Sequence, residues 1–121
     1  MALTKVTSDV LADEFFSIKT SHTTTADETR DIDFTEAAVV PITTSHALTL
    51  KPTNYKVGMV KNVIITDAGG TSSIAYSTAD SRVTKLLNGE YSNTTGAVNF
   101  LQIICVGTNK FYVTISQEPT A

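Results

Sequence analysis

Five acidic side chains crowd one short stretch, Asp27, Glu28, Asp31, Asp33 and Glu36. Carboxylates at this density are the raw material of a calcium site, which needs several oxygen ligands converging from a tight loop. Asp31 and Asp33 are two residues apart, so on an extended chain they point to the same side. No glycine-bearing ligand loop surrounds them, and a solvated strand face that discourages edge-to-edge pairing accounts for the same charges. Asp67-Ala68-Gly69-Gly70-Thr71-Ser72 has the glycines of a phosphate cradle but neither the lysine nor the following helix, and reads as a tight turn. His22 and His46 stand far apart, with no partner at zinc-ligand spacing. Cys105 is the single cysteine and lies in the apolar run Phe100-Leu101-Gln102-Ile103-Ile104-Cys105-Val106. It reads as a small buried hydrophobe, and an intramolecular disulfide is ruled out. No nucleophile elbow occurs. A carboxylate pair of the glycosidase kind meets only in the fold, and the absence of tryptophan makes it an unattractive reading. The expectation is a chain without catalytic site, metal or cofactor.

Composition points the same way. The net charge is −3 over 121 residues, with no block of lysine or arginine to form a nucleic-acid footprint. No apolar stretch approaches the roughly 20 residues that span a bilayer. The first residues lack the apolar core of a signal peptide, so the chain is expected to start soluble in the cytosol where it is made. Threonine, at roughly one residue in six, joins valine and isoleucine in favouring extended chain, because β-branched side chains sit well on a pleated surface.

The elements that must position these groups divide into an N-terminal arm, 1–28, and a β domain, 29–121. Within the arm, Ser8 is an N-cap candidate with Asp9 in the first turn. Val10, Leu11, Glu14 and Phe15 follow at helical spacing with Phe16 beside them, which predicts a helix of about two turns, marginal unless docked. Leu3, Val6, Val10, Leu11, Phe15 and Phe16 form the apolar group of this arm, suited to completing the domain's own core or a trimer interface, or to docking on a neighbouring capsid subunit. Ser17–Thr25 reads as an extended arm or edge strand. Alternating runs then predict strands at Arg30–Thr35, Ala38–Thr43 (demoted to an edge or bulge by Pro41), His46–Lys51, Val57–Asp67, Ser73–Tyr76 and Arg82–Leu87. A final hairpin joins Val98–Val106 to Lys110–Ser116 through Gly107-Thr108-Asn109. About eight strands with closely spaced turns predict an all-β, antiparallel sandwich or jelly-roll-like domain.

The order of segments Asp31-Ile32-Asp33-Phe34, Val39–Thr43, Ala47–Leu50 with its Lys-Pro loop, the Val/Ile strand ending at Gly69-Gly70, and the closing hairpin resembles a β-sandwich module of phage fibre and head-surface proteins. Ala2-Leu3-Thr4-Lys5-Val6-Thr7 is similar to the opening of many phage appendage proteins. The resemblance implies a non-enzymatic virion protein, made in the host cytoplasm and homotrimeric. Its shortness favours a capsid-decoration (cement) protein on the head, bound to the major capsid protein. The alternative is a tail-fibre or tail-adaptor module contacting tail proteins, with Tyr55, Tyr76 and Tyr91 as possible glycan contacts.

Overall fold

The structure, a computed structural model, describes residues 17–119. The apolar group Leu3, Val6, Val10, Leu11, Phe15 and Phe16, and the helix expected there, lie outside the described residues. Nine strands follow one another: β1 His22–Thr23, β2 Glu28–Asp33, β3 Val39–Thr44, β4 Ala47–Thr53, β5 Val60–Asp67, β6 Ser73–Tyr76, β7 Val83–Asn88, β8 Val98–Gly107 and β9 Lys110–Gln117. They form a six-stranded sheet in the order β1-β3-β5-β8-β9-β7 and a three-stranded sheet in the order β2-β4-β6.

Through β6 the chain alternates between the two sheets, so each sheet gains one parallel strand per circuit. This is a short β-solenoid. His22 lies opposite Ile42 and Glu28 opposite Leu48, an offset of 20 residues. Val39 lies opposite Asn62, an offset of 23. Ser21-His22-Thr23-Thr24, Pro41-Ile42-Thr43-Thr44 and Ile64-Ile65-Thr66-Asp67 therefore stack as equivalent rungs. Inward-facing Thr24 and Thr44 share a buried hydroxyl–hydroxyl hydrogen bond of 2.6 Å between them.

The all-β expectation holds, but the antiparallel jelly-roll detail is corrected. The β1–β3, β2–β4, β3–β5, β4–β6 and β7–β9 ladders are parallel; among the described residues β5–β8 and β8–β9 are the antiparallel ones. Parallel neighbours require a crossover, supplied through β6 by a strand of the opposite sheet and between β7 and β9 by β8 of the same sheet. The Thr44-Ser45 and Asp67–Gly70 turns do not fold strands back within a sheet; they are corners at which the chain changes sheet. Ser73–Tyr76 accordingly pairs with β4, not with β5.

Pro41 is not on an edge strand, because β3 lies between β1 and β5. The Val39 amide and carbonyl, and the Thr43 carbonyl, bond toward the β1 lane. By period two Pro41 turns its missing N–H to the same lane, where the pairing is interrupted. The proline thus limits β1 to two residues and leaves the β5 side of β3 intact.

The core sits between the sheets. Ile32, Leu48 and Leu50 from the smaller sheet meet Val40, Ile42, Val63, Ile65, Leu101, Ile103, Phe111, Val113 and Ile115 from the larger one. Cys105 is buried in this cluster, as its apolar run predicts.

Candidate functional site: the outer face of the six-stranded sheet

The acidic cluster does not converge. Asp27 accepts a hydrogen bond from the Ala47 amide at 3.0 Å. Glu28 faces His22 at 2.9 Å, and Glu36 pairs with Lys19. Asp31 is exposed on β2, in register with Lys51. Asp33 builds the corner after β2, accepting from the Thr35 amide (2.9 Å), the Thr35 hydroxyl (2.6 Å) and Asn54 (3.0 Å). Burial pushes its carboxyl up, but these donors outweigh it and hold it below the usual aspartate range. Among the described residues no group of three or more His, Cys, Asp or Glu side chains is placed to hold a metal ion.

Two ionic side chains inside the sheet packing were not singled out in the sequence. Lys61 and Asp67 occupy opposite ends of the inward row of β5, which also carries Val63 and Ile65. Lys61 is only 2% exposed, and its ammonium donates to the carbonyls of Glu36 (2.8 Å) and Ala37, tying down the β2–β3 corner. Burial pulls its pKa down, against the opposing pull of Asp33 and Glu36. The fully buried Asp67 accepts from the amides of Gly69 (3.0 Å), Gly70 and Ser72 (3.3 Å) and from the Ser72 hydroxyl. Burial raises its pKa, yet these four donors bring it below the ordinary value. The available sequence signal was their spacing, since 61, 63, 65 and 67 share one strand face.

The three tyrosines do not assemble into a platform. Tyr55 packs edge-on against Phe111 with centroids 4.7 Å apart, under the Arg82 guanidinium, and bonds Asn109. Tyr76 keeps its hydroxyl buried without a partner, and burial pushes its pKa up to about 12. Tyr91 bonds the Ser72 hydroxyl at 2.7 Å beside the Asp67 corner. All three rest on the core.

What remains is a contrast between two outer faces. The smaller sheet presents Thr29, Asp31 and Asp33 beside Thr49, Lys51 and Thr53, the small and charged residues of a wet surface. The larger sheet presents registered rows Pro41–Ile64–Phe100 and Val60–Ile104–Tyr112, separated by Val39–Asn62–Gln102–Thr114. No charged residue stands in these rows. Val60 is 43% and Phe100 40% exposed. Lys110, its ammonium 5.3 Å from the Tyr112 ring centre, and Lys85, in register with Tyr112, border the face on its β9–β7 side. Chemically, such a face binds by shedding water. No protein-family model, curated protein or solved structure matches the chain.

Proposed function

We propose that the chain is a non-enzymatic structural subunit of a bacteriophage particle: a homotrimeric decoration protein that sits on the head, contacts the major capsid protein and stabilises the assembled shell. The observation that carries this reading is the pair of apolar rows, Pro41–Ile64–Phe100 and Val60–Ile104–Tyr112, on the outer face of the six-stranded sheet, set against a polar face on the opposite side. A surface of this kind acts by burial, at about 25 cal/mol per Å2 of apolar area. Repetition in a trimer multiplies weak contacts into avidity. The buried ionic groups Lys61 and Asp67 hold corners, which suits a scaffold that must keep its shape under load. The phage assignment rests on the resemblance of the ordered segments from Asp31 to Ser116. The tail-fibre reading with a glycan-binding tip receives less support, because Tyr55, Tyr76 and Tyr91 spend their ring faces on the core.

The test is thermal. Particles assembled with and without the protein are heated, and genome release is followed by dye accessibility. The proposal expects release at lower temperature without the protein, and restoration when purified protein is added back. An unchanged release temperature refutes the stabilising role.

A further inference from the structure

The outer face of the six-stranded sheet needs an occupant, and its dimensions select among the candidates. Across β3, β5, β8 and β9 it measures about 15 Å, and along the strands about 20 Å, or roughly 300 Å2 in outline. A stable protein–protein interface buries about 800 Å2 on each partner. Two such faces meeting each other fall well short, whereas about seven extended residues, or about three turns of helix, span the patch.

We infer that residues 3–16 of a neighbouring copy of this chain cover the face, an inference that rests on the homotrimeric reading above. Four observations converge on that occupant. The segment carries the apolar side chains Leu3, Val6, Val10, Leu11, Phe15 and Phe16. Its charges are Asp9, Asp13 and Glu14 against Lys5 alone, complementary to the Lys85 and Lys110 that border the face. Asn62, in the middle row, has a buried side-chain oxygen with no hydrogen-bond partner among the described residues, in a cleft of about 460 Å3 lined with Phe34, Ala38, Met59 and Val60 and bordered by Glu36 and Lys61. A donor from a covering segment satisfies it. Finally, the direction of the chain disfavours self-coverage. The Ser17 carbonyl accepts from the Val39 amide at 3.4 Å, and the Lys19 amide donates to the Val39 carbonyl at 2.9 Å. The lane runs parallel to β3, and Ser17, its first described residue, already lies at the start of β3.

The experiment places the photo-reactive residue benzoylphenylalanine at the exposed position of Gln102 in the full chain. Its oligomeric state is measured by light scattering, the sample is irradiated, and the linked peptides are mapped by mass spectrometry. The inference expects a trimer whose links join two chains and end within residues 3–16. It also expects that adding Phe100→Asp lowers the yield by more than about tenfold, as losing one buried aromatic implies. A trimer whose links fall within one chain, end elsewhere on a neighbour, or do not form overturns the inference and leaves the trimer standing. A monomeric full chain overturns the trimer and the inference together.

Discussion

Replacing Asp67 by Asn probes whether the solenoid corner is held by charge or merely by shape. The carboxylate is fully buried and accepts from three amides, those of Gly69, Gly70 and Ser72, and from the Ser72 hydroxyl. Asn preserves volume and keeps one acceptor oxygen, which serves Gly69 and Gly70 as Oδ1 does now. Its amide nitrogen then faces the Ser72 N–H, donor against donor. One charged hydrogen bond is lost and one buried donor is stranded; at about 1–3 kcal/mol for each, D67N costs on the order of 3 kcal/mol. The sign of the pH dependence follows from the depressed folded pKa. The carboxylate's extra stability is present above the unfolded value near 3.8 and is lost as pH falls through the lower folded one. Urea unfolding of the two proteins at pH 7 and at a series of values below 4 measures both quantities. The gap between the proteins is expected to narrow as the acid end is approached. A D67N chain within about 0.5 kcal/mol of the parent at pH 7, or a gap independent of pH, refutes the charged-corner account.

Tyr76→Phe is expected to stabilise the fold by about 1 kcal/mol, because it removes a buried hydroxyl that has no partner. With its folded pKa pushed up to about 12, Tyr76 ionises first in the unfolded chain, so parental stability declines as pH rises above about 10. The variant lacks that component, and denaturant titrations between pH 9 and 11 compare the slopes. Gly89→Ala and Gly96→Ala separate steric clash from backbone strain. Both glycines have left-handed φ, +83° and +84°, but a Cβ at 89 falls 1.8 Å from the Ile115 carbonyl oxygen while one at 96 meets nothing. The Gly96 variant is expected to lose about 1 kcal/mol from strain alone and the Gly89 variant at least about 2 kcal/mol more, read from the urea midpoints; equal losses contradict the close approach of β7's end to β9.

Much of the fold was legible because the strands advertise themselves by period two. The spacing of Phe111, Val113 and Ile115 alone puts them on one strand face, and they are buried together. In the near-continuous apolar run Val98–Val106, read as one arm of the closing hairpin, Leu101, Ile103 and Cys105 fill the core, while Phe100 and Ile104 belong to the outer face. Strand direction was not legible, since alternation looks the same in parallel and antiparallel ladders. The same glycines that tighten a hairpin also tighten a solenoid corner, so Gly69-Gly70 favoured the commoner arrangement. The rung repeat was present, but as only three short Thr-containing segments with unequal spacing. The packing of Tyr55, Tyr76 and Tyr91 against the core was not legible, because aromatic bodies bury readily wherever they stand in the chain.

The larger outer face is a consequence of how the solenoid ends. A stack of parallel rungs leaves an open strand edge that invites further pairing, and solenoids need a terminal element to stop it. After β6 the chain stops alternating between sheets. β8 instead pairs antiparallel with β5, β9 with β8, and β7 closes parallel to β9, all in one sheet. These three strands double the width of that sheet while the other stays at three. On the inward side Arg82, just before β7, is anchored to the Pro52 carbonyl at 3.0 Å, and Tyr91, after β7, packs against the core. The outward surface gained has no counterpart in the described chain. Phe100, Ile104 and Tyr112 all come from the closing hairpin, and they turn the narrow exposed strip of β3 and β5 into a patch broad enough to receive a segment. The device that ends the stack of rungs is thus also the one that creates this outward face.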